Sequence, residues 1–215
     1  IVGANAGDAI TTANFLTAFG SGALGAITTG SSNVALGYRT GAALTTGSNN
    51  CFVGYDAGLT ETTGANNTAI GTNALLAQDT ASNNTAVGSG AGAAITTGGQ
   101  NTVVGRLALD ALTTGTYNDA FGYQALTAVT TGGNNVAFGS NSLAAVTTAS
   151  NNTAVGQNAG LVMTTASGST VIGATAGDAI TTGIENTCIG YVSGTEITTG
   201  QRNTLVGVAA GDAIT

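Results

Sequence analysis

Apolar and polar positions recur along this chain every 17 residues, without insertion or deletion. The marker is a glycine, Gly3, Gly20, Gly37 and so on to Gly207, in thirteen copies. Take that glycine as position 0. An apolar residue precedes it each time: Val2, Phe19, Leu36, Val53, Ile70, Val87, Val104, Phe121, Phe138, Val155, Ile172, Ile189 and Val206. Position −4 is asparagine in ten of twelve copies: Asn33, Asn50, Asn67, Asn84, Asn101, Asn118, Asn135, Asn152, Asn186 and Asn203. Position +7 is apolar in eleven of thirteen copies, with Glu61 and Gln78 as the exceptions. Position +9 is always threonine, and position +10 is only glycine or alanine.

A strict period places every copy in one structural environment. Seventeen residues are too few for a two-helix repeat. The segments resembling T-A-V-G and I-T-T are β-rich and bounded by Gly and Asn, the pattern of short strands joined by tight turns. The expected fold is therefore all-β: a parallel β-solenoid, or β-roll, of about thirteen 17-residue coils. Residues 1–215 form a single repeat domain. At about 4.8 Å per coil the rod is roughly 60 Å long.

Neighbouring strand residues face opposite sides. The ladder from Val2 to Val206 is expected to fill the coil interior as the structural core. The asparagines are expected to stack as an amide ladder, as amides do in cross-β structures. Position −2 is also apolar, so the strand has two apolar faces, and such strands are usually buried on both. The small residues there, Ala35, Ala69, Ala86, Ala120, Ala137 and Ala154, are expected to form a close interface with another chain.

Composition narrows the function classes. The chain has no His and no Lys, three Arg and a net charge of −7. Histidine- and lysine-dependent catalysis is excluded, and three scattered arginines make no nucleic-acid footprint. No apolar run approaches the roughly 18 residues of a membrane span. No enzyme activity, cofactor or metal is expected. Cys51 and Cys188 lie eight repeats apart. That is roughly 38 Å along a solenoid, too far for a disulfide.

Other residues are weighed on their phase. Asp8, Asp110, Asp178 and Asp212 share position +5. They read as solvated turn residues, because they are not in consecutive coils and calcium wants six or more oxygens. Nothing in the pattern favours Glu185 and Glu196 as a hydrolytic pair. Tyr38, Tyr55, Tyr123 and Tyr191 all follow the glycine and read as packing over a turn or as a recognition strip. Asn66, Asn83 and Asn151 begin Asn-x-Thr sequons within the Asn-rich turn. The Thr-Thr pairs raise an ice-binding solenoid as an alternative. Adjacent threonines point to opposite faces, however, so at most one per coil could join an external array.

The segments Asn134-Asn135-Val136-Ala137-Phe138-Gly139 and Ser32-Asn33-Val34-Ala35-Leu36-Gly37 resemble the N-S-V-A-I-G repeat of YadA-like trimeric adhesin heads. Asn118 to Leu126, continuing to Thr130-Thr131-Gly132, resembles the NTAIGYQAL…TTG unit of phage tail-fibre-like proteins. The resemblance covers the whole chain. It implies a left-handed β-roll, three chains side by side, and a rigid extracellular, cell-surface or virion fibre used for attachment. Its partners would be copies of itself and a cell-surface receptor or glycan, with neither nucleic acid nor membrane insertion. The chain opens inside a strand motif and stops within a repeat, without a capping copy. A segment of a longer fibre is expected, or a self-assembling filament subunit that stacks end to end.

Overall fold

The computed structural model describes residues 1–212, so Ile214 of the +7 rank lies outside the described residues. The described chain is a parallel β-solenoid without helices. Its strands are β1 (Thr17–Phe19), β2 (Val34–Leu36), β3 (Cys51–Val53), β4 (Thr68–Ile70), β5 (Thr85–Val87), β6 (Thr102–Val104), β7 (Asp119–Phe121), β8 (Val136–Phe138), β9 (Thr153–Val155), β10 (Thr170–Ile172), β11 (Thr187–Ile189) and β12 (Thr204–Val206). They form one sheet in sequence order. Each pairs with the next in parallel, 17 residues apart, as in Ala120↔Ala137 and Phe121↔Phe138. The thirteenth copy is a single bridge, Val2↔Phe19. Thirteen sequence copies thus appear as twelve strands and one bridge.

The strands are short because the chain turns sharply between them. Positions +2, +4 and +12 carry positive φ in successive coils, as at Gln124 (53°), Leu126 (53°) and Asn134 (57°). The coil is nevertheless bonded to its neighbours outside the strands too. Leu24 N–H donates to Thr40 O at 3.0 Å, and Asn49 N–H to Ser31 O at 3.0 Å. The position-0 glycine is required twice over. Its φ lies in a region open essentially only to glycine, 137° at Gly88. A Cβ on Gly88 would sit 2.6 Å from the carbonyl oxygen of Gly105 in the next coil.

The core faces the opposite way from the sequence expectation. Ala35, Ala69, Ala86, Ala120, Ala137 and Ala154, expected at a chain interface, are fully buried inside the coil. The ladder expected inside stands on the outer face of the sheet, and none of its members is buried. Val2, Phe19, Leu36, Ile70, Phe138, Val155 and Val206 are exposed; Val53, Val87, Val104, Phe121, Ile172 and Ile189 are half-buried. The cause is the volume of the interior. Positions +4 and +7 already send Leu24, Ile27, Leu75, Leu109, Leu112 and Leu126 into it. Little room remains at −2, so alanine goes in and the larger −1 side chain goes out.

This interior is balanced residue by residue. Position +4 is always either leucine or glycine. Every −2 residue larger than alanine has glycine at +4 in at least one flanking turn. Phe52 is the clearest case: a Cβ on Gly41 would meet its ring at 2.8 Å, and one on Gly58 at 2.9 Å. Beside Ala120 and Ala137 the +4 residues are Leu109, Leu126 and Leu143. Those leucines adopt left-handed backbone (φ 50–53°). That costs about 1–2 kcal/mol each, against about 1.5–3 kcal/mol from burying the side chain. Burial wins, but narrowly.

Phe52→Ala should therefore open a cavity and cost about 3–5 kcal/mol. Gly58→Leu alone should also destabilise, by overpacking against Phe52. Combined, the two should recover much of the loss, because the pair then copies Ala69 beside Leu75. Chemical denaturation of the three variants checks this, and strictly additive losses would refute the volume balance.

Candidate functional site

Two features dominate the molecule: a buried polar spine and an outward apolar face. The spine is built by the asparagines at −4. Each is buried through most of the rod. Asn101 Oδ1 accepts the Asn118 backbone N–H at 2.9 Å and the Asn118 side-chain N–H at 3.2 Å. Asn118 Nδ2 also donates to Gly132 O, the +10 carbonyl 14 residues on, at 3.0 Å. The pattern begins at Asn33, whose Nδ2 reaches Gly47 O at 2.8 Å. It continues through Asn50, Asn67, Asn84, Asn101, Asn118, Asn135 and Asn152. After Ser169 it resumes at Asn186 and Asn203. Position +10 is small because coils touch there: a Cβ on Gly183 would lie 2.2 Å from the Gly200 carbonyl oxygen of the next coil.

The outward face carries positions −3 and −1 of every strand. Position −3 is threonine in eight strands, with Val34, Cys51, Asp119 and Val136 in the others. Position −1 is the continuous apolar ladder, on which the Phe121 and Phe138 rings stack at 5.4 Å. Asp119 is the one charged side chain in these two ranks. Six of the ten acidic residues (Asp8, Asp79, Asp110, Asp178, Glu196 and Asp212) lie at +5, +6 or +8, half a coil further along the chain. The rod therefore has an apolar side and an acidic side.

The remaining candidates are dispersed or engaged. Cys51 is half-buried on the outward face and Cys188 is buried in the core; both are free thiols. Burial raises the Cys188 thiol pKa. The Asp110 carboxylate accepts from Thr127 Oγ1 at 2.6 Å, and that of Asp212 from Thr195 Oγ1 at 2.9 Å. Burial raises the Asp178 carboxyl pKa. Glu185 pairs with Arg202 at 2.7 Å, whereas Glu196 is exposed. Among the described residues no three His, Cys, Asp or Glu side chains gather as metal ligands, and no cavity opens.

Tyr38 and Tyr55 stack at 5.3 Å, and the Arg39 guanidinium lies 5.1 Å over the Tyr38 ring. Arg39 Nε also bonds Asp56 Oδ1 at 2.9 Å, locking the corner between two coils. Arg106 covers Tyr123 in the same way at 5.7 Å, and Tyr191 is exposed. The two threonines of each pair differ in use. The +8 hydroxyl donates to the +8 carbonyl of the next coil, as Thr113 does to Thr130 at 3.1 Å. The +9 threonines, Thr12 to Thr199, are exposed in single file. The sequon asparagines Asn66, Asn83 and Asn151 are likewise exposed at +12, with positive φ.

Sequence reasoning missed the outward face as such, although the −2/+4 volume pattern was there to find it. The spine itself yields a prediction. Ser169 interrupts it, and its side chain supplies no donor to Gly183 O. Ser169→Asn should restore that bond and stabilise the rod by about 1 kcal/mol. Asn118→Ala should strand the Gly132 carbonyl and the Asn135 N–H, costing about 2–4 kcal/mol over the two groups. Urea midpoints of both variants measure this.

No family model, curated protein or solved structure matches this chain, so its reading rests on the coil geometry and on the residues that face outward.

Proposed function

We propose that this chain is a structural and adhesive fibre segment: a rigid rod, not a catalyst, that associates side by side with copies of itself. The observation that carries the reading is the unbroken apolar ladder on the outer face of the sheet. Soluble monomers rarely leave a long contiguous apolar strip open to water. Twelve strands at about 4.8 Å make the strip roughly 58 Å long. With a width near 10 Å, two copies would remove on the order of 1,200 Å² from water, the lower bound of stable interfaces. A third copy closing the ring buries more. Acidic side chains half a coil away then face solvent, where like charge discourages further lateral growth.

The repeat resemblance to adhesin heads and tail fibres supports the same reading and makes the assembly a trimer outside the cell or on a virion. Attachment to a receptor or glycan would draw on many weak contacts repeated along the rod. The end-stacking filament is the alternative assembly. An ice-binding face has less support, because the +9 threonines form a single file, the +8 hydroxyls are spent on backbone carbonyls, and the outward −3 threonines stand beside the apolar −1 ladder and are interrupted by Val34, Cys51, Asp119 and Val136.

Light scattering after size exclusion tests the proposal. The expected result is an elongated particle of three times the 20.5 kDa chain mass. Phe138→Asp should release monomers with little loss of fold, since Phe138 is 56% exposed. Ala137→Asp should instead unfold coils, because its charge enters the core. A monomeric wild-type chain overturns the proposal, and open-ended polymers replace it with the filament.

A further inference from the structure

The apolar face carries one charge on each of its two margins. The −3 rank, where each strand begins, has a single charged side chain, Asp119 at the head of β7. The +1 rank, just past the position-0 glycine, also has one, Arg106. That rank still runs as a file along the rod, because the backbone ladder continues there. Gln124 N–H donates to Arg106 O at 3.2 Å, and Leu107 N–H to Ser89 O at 3.0 Å. Arg106 follows β6 and Asp119 opens β7, so the two opposite charges stand in consecutive coils.

The other two arginines are neutralised within the chain. Arg39 bonds Asp56 through Nε at 2.9 Å, and Arg202 bonds Glu185 at 2.7 Å. Each of these pairs joins one rank in successive coils, +2 for the first and +12 for the second. Among the described residues Arg106 makes no ion pair; it is exposed, with its guanidinium 5.7 Å over the Tyr123 ring. Asp119 is half-buried between Thr102 and Val136, its partners in the neighbouring strands, and neither is a cation. Within one chain Arg106 lies four residues beyond Thr102, about 13 Å of extended backbone from the level of Asp119.

We propose that Arg106 of one copy pairs with Asp119 of the next, and that this ion pair sets the direction and axial register of the side-by-side assembly. It rests on the homo-oligomeric reading above. In a closed ring the same junction recurs, one margin of each copy against the opposite margin of its neighbour. Parallel rods thereby bring a −3 rank against a +1 rank, and Asp119 toward Arg106. The axial offset left between them is one coil, about 4.8 Å, which an arginine side chain spans. Antiparallel rods would set each rank against its own copy and leave both charges without a complement. The apolar ladder does not fix register by itself. A slide of one coil still lays apolar on apolar and forfeits the overlap of one strand in twelve. A single pair of opposite charges breaks that degeneracy, because a shifted rod would press both charges against neutral side chains. Interfacial charge acts in this way more on register and partner choice than on raw affinity.

Charge exchange tests this on the full chain. Arg106→Asp and Asp119→Arg should each raise the concentration at which light scattering shows the assembly dissociating, by about tenfold or more in dilute salt. The double variant should return it to within about threefold of the wild type, because the pair is remade with its ends reversed. Losses that simply add in the double variant overturn the pair. So does a wild-type assembly that neither single change weakens, and both results leave the side-by-side reading standing. A wild-type chain that stays monomeric overturns the two together. Cysteine linkage reads the register directly. Arg106→Cys co-expressed with Asp119→Cys, each also carrying Cys51→Thr, should give covalent dimers on oxidation. Thr85→Cys, two coils from Asp119 in the −3 rank, should not link to Arg106→Cys, and preferential linkage there overturns the register.

Discussion

Backbone meets backbone at position 0, and the rest of the molecule is arranged around that contact. A carbonyl of one coil occupies the space a Cβ would need in the coil before it, 2.6 Å away at Gly88. Glycine is therefore fixed in every copy, and so is the distance around the coil from one glycine to the next. The copies carry no insertion, and one extra residue beside the strand would push a side chain into that carbonyl or turn the strand residues to the other face. The strict 17-residue period is the visible trace of this packing constraint.

With the circumference fixed, the interior has a set volume to be shared. Three positions fill it: −2, +4 and +7. Phe52 takes space that Gly41 and Gly58 give up, while Leu126 and Leu143 take space that Ala137 gives up. The division varies from copy to copy, from Phe52 between two glycines to Ala137 between two leucines, although neighbouring copies can share one, as Ala120, Leu126 and Val129 do with Ala137, Leu143 and Val146. The asparagine spine contributes the polar counterpart, in which each amide satisfies groups in the adjoining coil and leaves few buried partners unmet. Among the described residues the buried side-chain atoms without a partner are Thr175 Oγ1 and Ser193 Oγ.

The fold class and coil length were legible in the sequence because they depend on backbone geometry that repeats thirteen times. The inward face was not. At β8, Val136-Ala137-Phe138 offers apolar residues on both sides, and hydrophobicity alone favours burying the phenylalanine. The deciding quantity is the volume already occupied by Leu126 and Leu143, which belong to turns and not to the strand. Asn66 and Asn67 teach the same lesson. Two adjacent identical residues part company, one exposed at a left-handed turn and one buried in the spine. The structural consequence of Glu61 was hidden too. A break in the +7 rank is easy to see in the sequence, but the bonds of Glu61 to Asn67 and Gln78 need the coil to be closed.

Every ladder bond in this rod runs from one coil to the next, nearly along the long axis. A pull on the two ends of a lone chain therefore loads each coil's bonds one set at a time, like a zipper. A coil that yields exchanges about 4.8 Å of rod for roughly 58 Å of extended chain. Under tension the molecule is a reel that pays out about twelve times the length it gives up. Tensile strength would come from neighbouring rods sharing the load, and the apolar ladder lies where a neighbour would be held.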